Sequence, residues 1–242
     1  MTTDCKACPL RSQSIFDDMT QDELKKTARF KSGELSVDPG TPILMEGSNA
    51  PQLYTALRGM GLRYKTLPDG QRQVINFIFP GDFIGLQAGM LGEMGHSVEA
   101  TTRMTLCVFD RSDFFDFFKS STARAFDITW LAATEEHFLG ESLTTVGQRD
   151  ALSSMAWAMV RLFQRADELN MQQNGAVPFP FKQQDIADAL GLSLVHTNKT
   201  IARLRQRQLL TLSDGSLHIH DLQALADVAQ IELEGHRRRP LI

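Results

Sequence analysis

Hydrophobic and polar positions change their period twice along the chain. Thr20 followed by Glu23 forms a capping box, and Leu24, Ala28 and Phe30 behind it predict an amphipathic helix. From Gly33 to Phe109 short β-prone runs alternate with turn chemistry: P-G-T-P (39–42), E-G-S (46–48), R-G-M-G (58–61), P-D-G (68–70) and P-G-D (80–82). Between them lie strand candidates Leu53–Leu57, Leu62–Leu67, Gln73–Phe79 and Met104–Phe109, a spacing that points to an all-β sandwich or barrel. L-P-D-G-Q-R reads as a hairpin turn, with Gly70 free to take positive φ.

After Asp110 the period becomes helical. Ser112 to Phe118 is a short helix, and Thr122 to about Val146 is a long one with Gly140 as its only breaker. Phe126, Trp130, Ala133, His137 and Phe138 recur on it at helical steps, an apolar stripe that predicts burial against a second copy of the chain. Packing within one chain is the alternative. A further helix, Asp150 to Leu169, turns Leu152, Met155, Ala156, Met159, Leu162 and Phe163 inward, and N-G-A-V-P-F-P-F (174–181) reads as a linker.

Gln183 to Leu190 is short, with Ile186, Ala187 and Leu190 inward. Gly191 supplies a left-handed turn, and Ser193 caps the next helix. In that helix Ile201 and Leu204 face inward with Leu194 or Thr197, leaving Val195, His196, Asn198, Lys199 and Arg203 outward. Then L-L-T-L-S-D-G-S-L-H-I-H gives strand, Asp214-Gly215 turn and strand. A small residue, a Gly four positions on, an amphipathic helix and a hairpin together describe a winged helix-turn-helix.

Charge agrees with this reading. The formal charge is −4, yet from Gly147 onward there are 11 Lys/Arg against 10 Asp/Glu, and no acid stands between Asp188 and Asp214. A basic run inside an acidic protein fits a polyanion; a solvated helix face is the plainer account. The composition is that of a globular protein, with no stretch near the ~18 apolar residues of a membrane span and no cleavable signal, so a cytoplasmic location is expected. Three cysteines, an odd number, fit a reducing compartment. No nucleotide-binding glycine fingerprint, G-x-S-x-G or paired acids beside a nucleophile suggests an enzyme.

At this point the sequence resembles the CRP/FNR family of bacterial transcription regulators, through G-D-F-I-G (81–85), D-I-A-D-A-L-G-L-S (185–193) and I-A-R-L-R-Q-R-Q-L-L (201–210). The resemblance spans nearly the whole chain. It implies an α+β fold: a jelly-roll barrel of the cyclic-nucleotide-binding type over 1–120, a dimerisation helix over 121–146 and a winged helix-turn-helix over 147–242. It further implies a homodimer on a palindromic operator in double-stranded DNA, with RNA polymerase as a partner and activation the family's habit. Val195, His196, Asn198 and Lys199 then meet base edges, and Gln183, Ser193, Arg203 and Arg205 meet phosphates. Val195 replaces the Glu of CRP and FNR, so a different half-site is expected.

The same resemblance leaves the signal open. Where cyclic-AMP-binding members follow the last Gly of the motif (here Gly85) with a ribose-holding Glu and a phosphate-holding Arg-Ser, this chain has Leu86, His96 and Ser97. That disfavours cyclic AMP and places the chain in the FNR/FixK-like branch. Cys5, Cys8 and Cys107 match three of the four thiolates of an FNR-type iron–sulfur cluster; Ser14 stands at the fourth place, with Asp17 or Asp18 as a substitute ligand. A regulator without any cofactor is the simplest expectation. An adaptor whose winged helix binds protein is the alternative from another class.

Overall fold

A computed structural model describes residues 2–233, 235 and 237–242. It divides into two compact units that do not follow chain order: 2–65, 76–137 and 237–242 form one, and 66–75, 138–233 and 235 the other.

The first unit begins with α1 (Gln21–Phe30), whose capping box is formed on both sides: Glu23 N–H donates to Thr20 Oγ1, and Thr20 N–H donates to the Glu23 carboxylate at 2.7 Å. Its buried face is Leu24, Thr27 and Phe30; Ala28, expected inward, is exposed. Steps of three from Leu24 place Thr27 and Phe30 on one stripe, and Ala28 falls beside it.

Eight strands follow as two four-stranded sheets. One runs β1 (Lys31–Val37), β8 (Met104–Asp110), β3 (Gln52–Arg58), β6 (Phe83–Ile84); the other runs β2 (Pro42–Leu44), β7 (Ser97–Ala100), β4 (Gly61–Thr66), β5 (Arg72–Ile78). Four of these, β3, β4, β5 and β8, match the expected runs. The remaining four carry too few residues or too little alternation to be read alone: β6 has two residues, and β1 holds Lys31, Ser32, Gly33 and Glu34. The Leu67–Arg72 turn has the expected form, with Gly70 at φ +87° and its N–H on Leu67 O at 2.9 Å.

Both faces of β3 and β8 are covered, and their two-residue period sorts side chains between two cores. Tyr54, Ala56, Met104, Leu106 and Val108 point into the sandwich with Ile78, Ile84 and Val98. Leu53 and Phe109 point the other way, into an aromatic layer with Phe30, Phe83, Phe114 and Phe117; Phe30 stacks on Phe109 at 4.7 Å and on Phe117 at 4.4 Å. Cys107 alternates with Leu106 and Val108, so it packs against this aromatic layer. Between β6 and β7 lies α2 (Leu86–Leu91), and α3 (Phe114–Ser120) follows β8.

The long helix α4 spans Thr122–Gln148, and its residues divide between the units at 137/138. Its inward positions in the first unit are Arg124 and Ile128, with Leu131 partly covered. The stripe read from the sequence is a different face. Phe126 is 68% exposed, Ala133 and His137 are exposed, and Trp130 is partly so. Leu143, also apolar, is 75% exposed. Phe138, in contrast, stacks on Trp157 at 5.9 Å inside the second unit.

The second unit is built on α5 (Ala151–Glu168), capped by Asp150, whose carboxylate accepts from Ser153 N–H at 2.8 Å. Met155, Ala156, Met159, Leu162 and Phe163 are buried as expected, and Leu152 is half-buried. The stretch taken as a linker contains a strand, β9 (Ala176–Pro178), in which Val177 is 1% exposed. Pro178 is tolerated because β9 lies at the edge of its sheet. The expected charge excess of the 147–242 stretch also changes. Arg237, Arg238 and Arg239 belong to the other unit, leaving eight Lys/Arg against the ten Asp/Glu. Positive charge is a property of one helix face, not of the unit.

Candidate nucleic-acid interface

Two helices and a hairpin form the site. In α6 (Gln183–Leu190) Ile186, Ala187 and Leu190 are buried, and the Asp185 carboxylate accepts from Lys182 N–H at 2.8 Å, closing the helix start. Gly191 adopts φ +64°, ψ +28°, and Leu192 N–H reaches back to Ala187 O at 3.0 Å. That conformation favours Gly because a Cβ raises the left-handed energy.

Ser193 then caps α7 (Leu194–Gln206), its Oγ accepting from His196 N–H at 3.2 Å. The inward face is Thr197, Thr200, Ile201 and Leu204, all at or below 4% exposure. Of the two candidates for the first inward contact, Thr197 is the buried one and Leu194 is 41% exposed. The choice follows from period: 197, 200, 201 and 204 share one face.

On the opposite face Val195, His196, Asn198, Lys199, Arg203 and Arg205 are exposed, with Val195 at 64%. Gln183 and Ser193 are exposed at the starts of the two helices. The first turn of α7 carries no acid, while Arg203 and Arg205 lie in its last turn. The positive end of the helix dipole is therefore left for an external anion, and the two arginines offset the negative end.

Behind α7 comes the hairpin of β10 (Leu210–Ser213) and β11 (Ser216–Ile219), with Leu210 opposite Ile219 and Leu212 opposite Leu217. Asp214 and Gly215 both have positive φ, as a tight two-residue hairpin turn demands. On the other side β9 pairs with β11, Val177 opposite Leu217. Finally α8 (Leu222–Ala229) packs Leu225, Ala226 and Ala229 inward.

One contact was not foreseen. Arg72, in the 66–75 segment of the same unit, donates to Asp185 at 2.5 Å and Asp188 at 2.9 Å, and Gln73 Nε2 donates to Ala189 O at 3.1 Å. The available signal was a pair of acids three residues apart on α6 without a basic partner on that helix.

The positions matched to the cyclic-nucleotide pocket all belong to the first unit. Gly85 takes φ +95°, and a Cβ there would stand 3.1 Å from Leu53 Cδ2. Leu86 is partly covered by the aromatic layer. Ser97, on β7, accepts from Glu46 N–H at 3.0 Å. His96 is 7% exposed, and burial, then the Arg63 charge, push its pKa down to about 4 against a counter-effect of Glu135. Arg63 is itself buried, donating to Phe83 O at 3.0 Å and pairing with Glu135 at 3.1 Å. A neutral imidazole beside an arginine already paired in cis replaces the charged fork that would hold a cyclic phosphate.

Cys5, Cys8 and Cys107 line one small cavity with Lys31, Thr55 and Phe109. Burial raises the Cys107 thiol to about 11 and also raises Cys5. Asp17 and Asp18, the substitute ligands, both face Arg238, at 3.5 and 3.2 Å. Among the described residues no three His, Cys, Asp or Glu are grouped so as to hold a metal ion. As folded, this cysteine set does not fit an iron–sulfur cluster.

Comparison with known proteins agrees with the geometry. A cyclic nucleotide-binding domain family matches residues 34–121, and a Crp-like helix-turn-helix domain matches 155–228. The nitrogen fixation regulation protein FixK of Rhizobium meliloti is 31% identical over 180 residues, covering 73% of this chain and 77% of that protein. FixK of Bradyrhizobium diazoefficiens is 27% identical over 231 residues, covering 92% and 93%. The solved structure of FixK2 from Bradyrhizobium japonicum superposes with a TM-score of 0.75 at 22% identity, covering 83% of this chain and 98% of that one. The barrel, the helix-turn-helix and these relatives agree: the chain belongs to the CRP/FNR family of transcription regulators, which bind DNA through a C-terminal helix-turn-helix.

Proposed function

We propose that the chain regulates transcription as a homodimer on a two-fold symmetric operator, each α7 entering a major groove. The observation that carries this is the exposed face of α7, on which His196, Asn198, Lys199, Arg203 and Arg205 stand without a single acid, held on a fully buried inner face. Asn198 and His196 suit base edges, Lys199 suits guanine, and Val195 suits an apolar contact such as a thymine methyl. Gln183, Ser193, Arg203 and Arg205 suit phosphates. The exposed stripe of Phe126, Trp130, Ala133 and His137 supplies the surface through which two copies join. Activation through RNA polymerase in the cytoplasm follows the family's habit; among the described residues no helix is long and apolar enough to cross a membrane.

The signal is not cyclic AMP in the family's usual mode, because His96 and the Arg63–Glu135 pair leave no charged fork for the phosphate. Control by abundance or by partners is the reading that needs no cofactor.

Operator selection from random DNA, followed by fluorescence anisotropy, tests the reading. Asn198→Ala with Lys199→Ala should weaken the selected site at least tenfold while nonspecific binding changes little, since a lost base contact is worth about 1–3 kcal/mol. Affinity should also fall steeply between low and moderate salt. Equal binding of selected and random DNA by the unsubstituted chain would overturn the proposal.

A further inference from the structure

The sequence R-R-R-P-L-I (237–242) follows the DNA-binding unit, and three arginines there invite a phosphate-binding role. The structure gives them another. Arg237 and Arg238 are exposed, but Arg239, Pro240, Leu241 and Ile242 are buried, and they are buried in the barrel unit. The segment lies beside residues 15–17 as a short parallel pairing: Arg239 N–H donates to Ile15 O at 2.8 Å, and Asp17 N–H donates to Arg239 O at 2.9 Å.

Three of the four buried residues have a specific receptor. Arg239 reaches the Asp82 carboxylate at 3.0 Å, with its guanidinium 5.8 Å from the Phe16 ring centre. Asp82 and Gly81 belong to the G-D-F-I-G motif, and Gly81 has no room for a Cβ, which would stand 2.3 Å from Phe16 Cζ. Leu241 O accepts from Arg124 at 3.2 Å, and Ile242 O accepts from the Thr55 hydroxyl at 2.7 Å. The Ile242 side chain sits in the aromatic layer of Phe30, Phe83, Phe109 and Phe114. Backbone pairing, a buried charge partner and an apolar socket in series are how a groove recognises an extended peptide.

We propose that the barrel unit carries a peptide-binding groove whose ligand is the chain's own Arg-Pro-Leu-Ile segment, docked in cis and exchangeable in trans. The groove is distinct from the positions matched to the cyclic-nucleotide pocket, and it gives the barrel a ligand of another chemical class. The segment 237–242 belongs to the barrel unit although it follows the helix-turn-helix in the chain. The proposal does not depend on what the helix-turn-helix binds.

The test uses the full chain with Arg239→Ala and Ile242→Asp, which unseats the segment and leaves its receptor residues intact. A fluorescein-labelled peptide R-R-R-P-L-I is titrated by anisotropy. The variant should bind it, and Ala in place of the third Arg should weaken binding at least tenfold. The unsubstituted chain should bind at least tenfold more weakly than the variant, because a tethered segment competes at an effective concentration on the order of millimolar. A scrambled peptide of equal charge controls for electrostatics; equal binding of both peptides, or equal binding by both proteins, overturns the proposal. Should the variant not fold, hydrogen exchange on the unsubstituted chain decides. Amides of Asp17 and Arg239 should exchange at least tenfold more slowly than in an unstructured peptide, and unprotected rates at both would refute docking.

Discussion

Replacing His96 by Gln tests whether the barrel of this regulator resists acid through a neutral imidazole. His96 is 7% exposed, and its pKa lies at about 4 against an ordinary 6.5, first through burial and then through the Arg63 charge, with Lys65 acting in the same sense and Glu135 and Glu46 against it. Below pH 6.5 the unfolded chain takes up a proton that the native chain refuses until about pH 4. Acid therefore favours unfolding across that window; the full stability is present above pH 6.5 and is lost as pH falls towards 4. At about 1.4 kcal/mol per pH unit the whole window is worth about 3 kcal/mol, and pH 5 alone about 2 kcal/mol. Thermal unfolding followed by circular dichroism should show the unsubstituted protein losing about 5 °C between pH 7 and pH 5 from this group. His96→Gln, which cannot titrate, should lose that much less over the same interval, whatever its stability at pH 7. Parallel pH profiles for the two proteins would show that His96 is solvated or protonated in the native state, and the argument against a phosphate-holding charge at this position would fail with it.

Three further outcomes follow from the geometry. Gly191→Ala should cost about 1 kcal/mol in urea unfolding monitored by the buried Trp157, because φ is +64° while the added Cβ meets only Val146 Cγ1 at an ordinary 3.6 Å. Arg72→Ala should destabilise the second unit by about 2 kcal/mol by the same probe, since it removes the partner of Asp185, whose side chain is 7% exposed; Arg72→Lys should restore only part, lacking the two-pronged fork. Phe126→Glu, at a position 68% exposed, should leave the thermal midpoint of the isolated chain nearly unchanged and shift the mass measured by light scattering from dimer to monomer, whereas a fall in stability without a change in mass would mean that the stripe packs within the chain.

The C-terminal half was legible because its signals are local. A cap at Ser193, a left-handed Gly191 and a three-to-four residue period from Thr197 to Leu204 each act within one or two turns of backbone. The sequence left Leu194 and Thr197 equivalent, and only the direction of the whole inner face separates them. The barrel was harder to read because its strands are defined by partners far along the chain: β6 is two residues long and exists through pairing with Thr55 and Tyr54. Cys107 shows what that costs. Only the family resemblance set it beside Cys5 and Cys8; the physical reason is its alternation with Leu106 and Val108, which turns it to the other face of β8, where it lines one cavity with both. The three arginines after α8 mark the opposite limit. Their charge was read with the DNA-binding segment because they adjoin it in sequence. Arg239 instead completes a buried pair with Asp82, 157 residues away, a contact that no local pattern encodes. Local chemistry thus made the helix-turn-helix legible, whereas the partners of the barrel's buried groups are set by packing far along the chain.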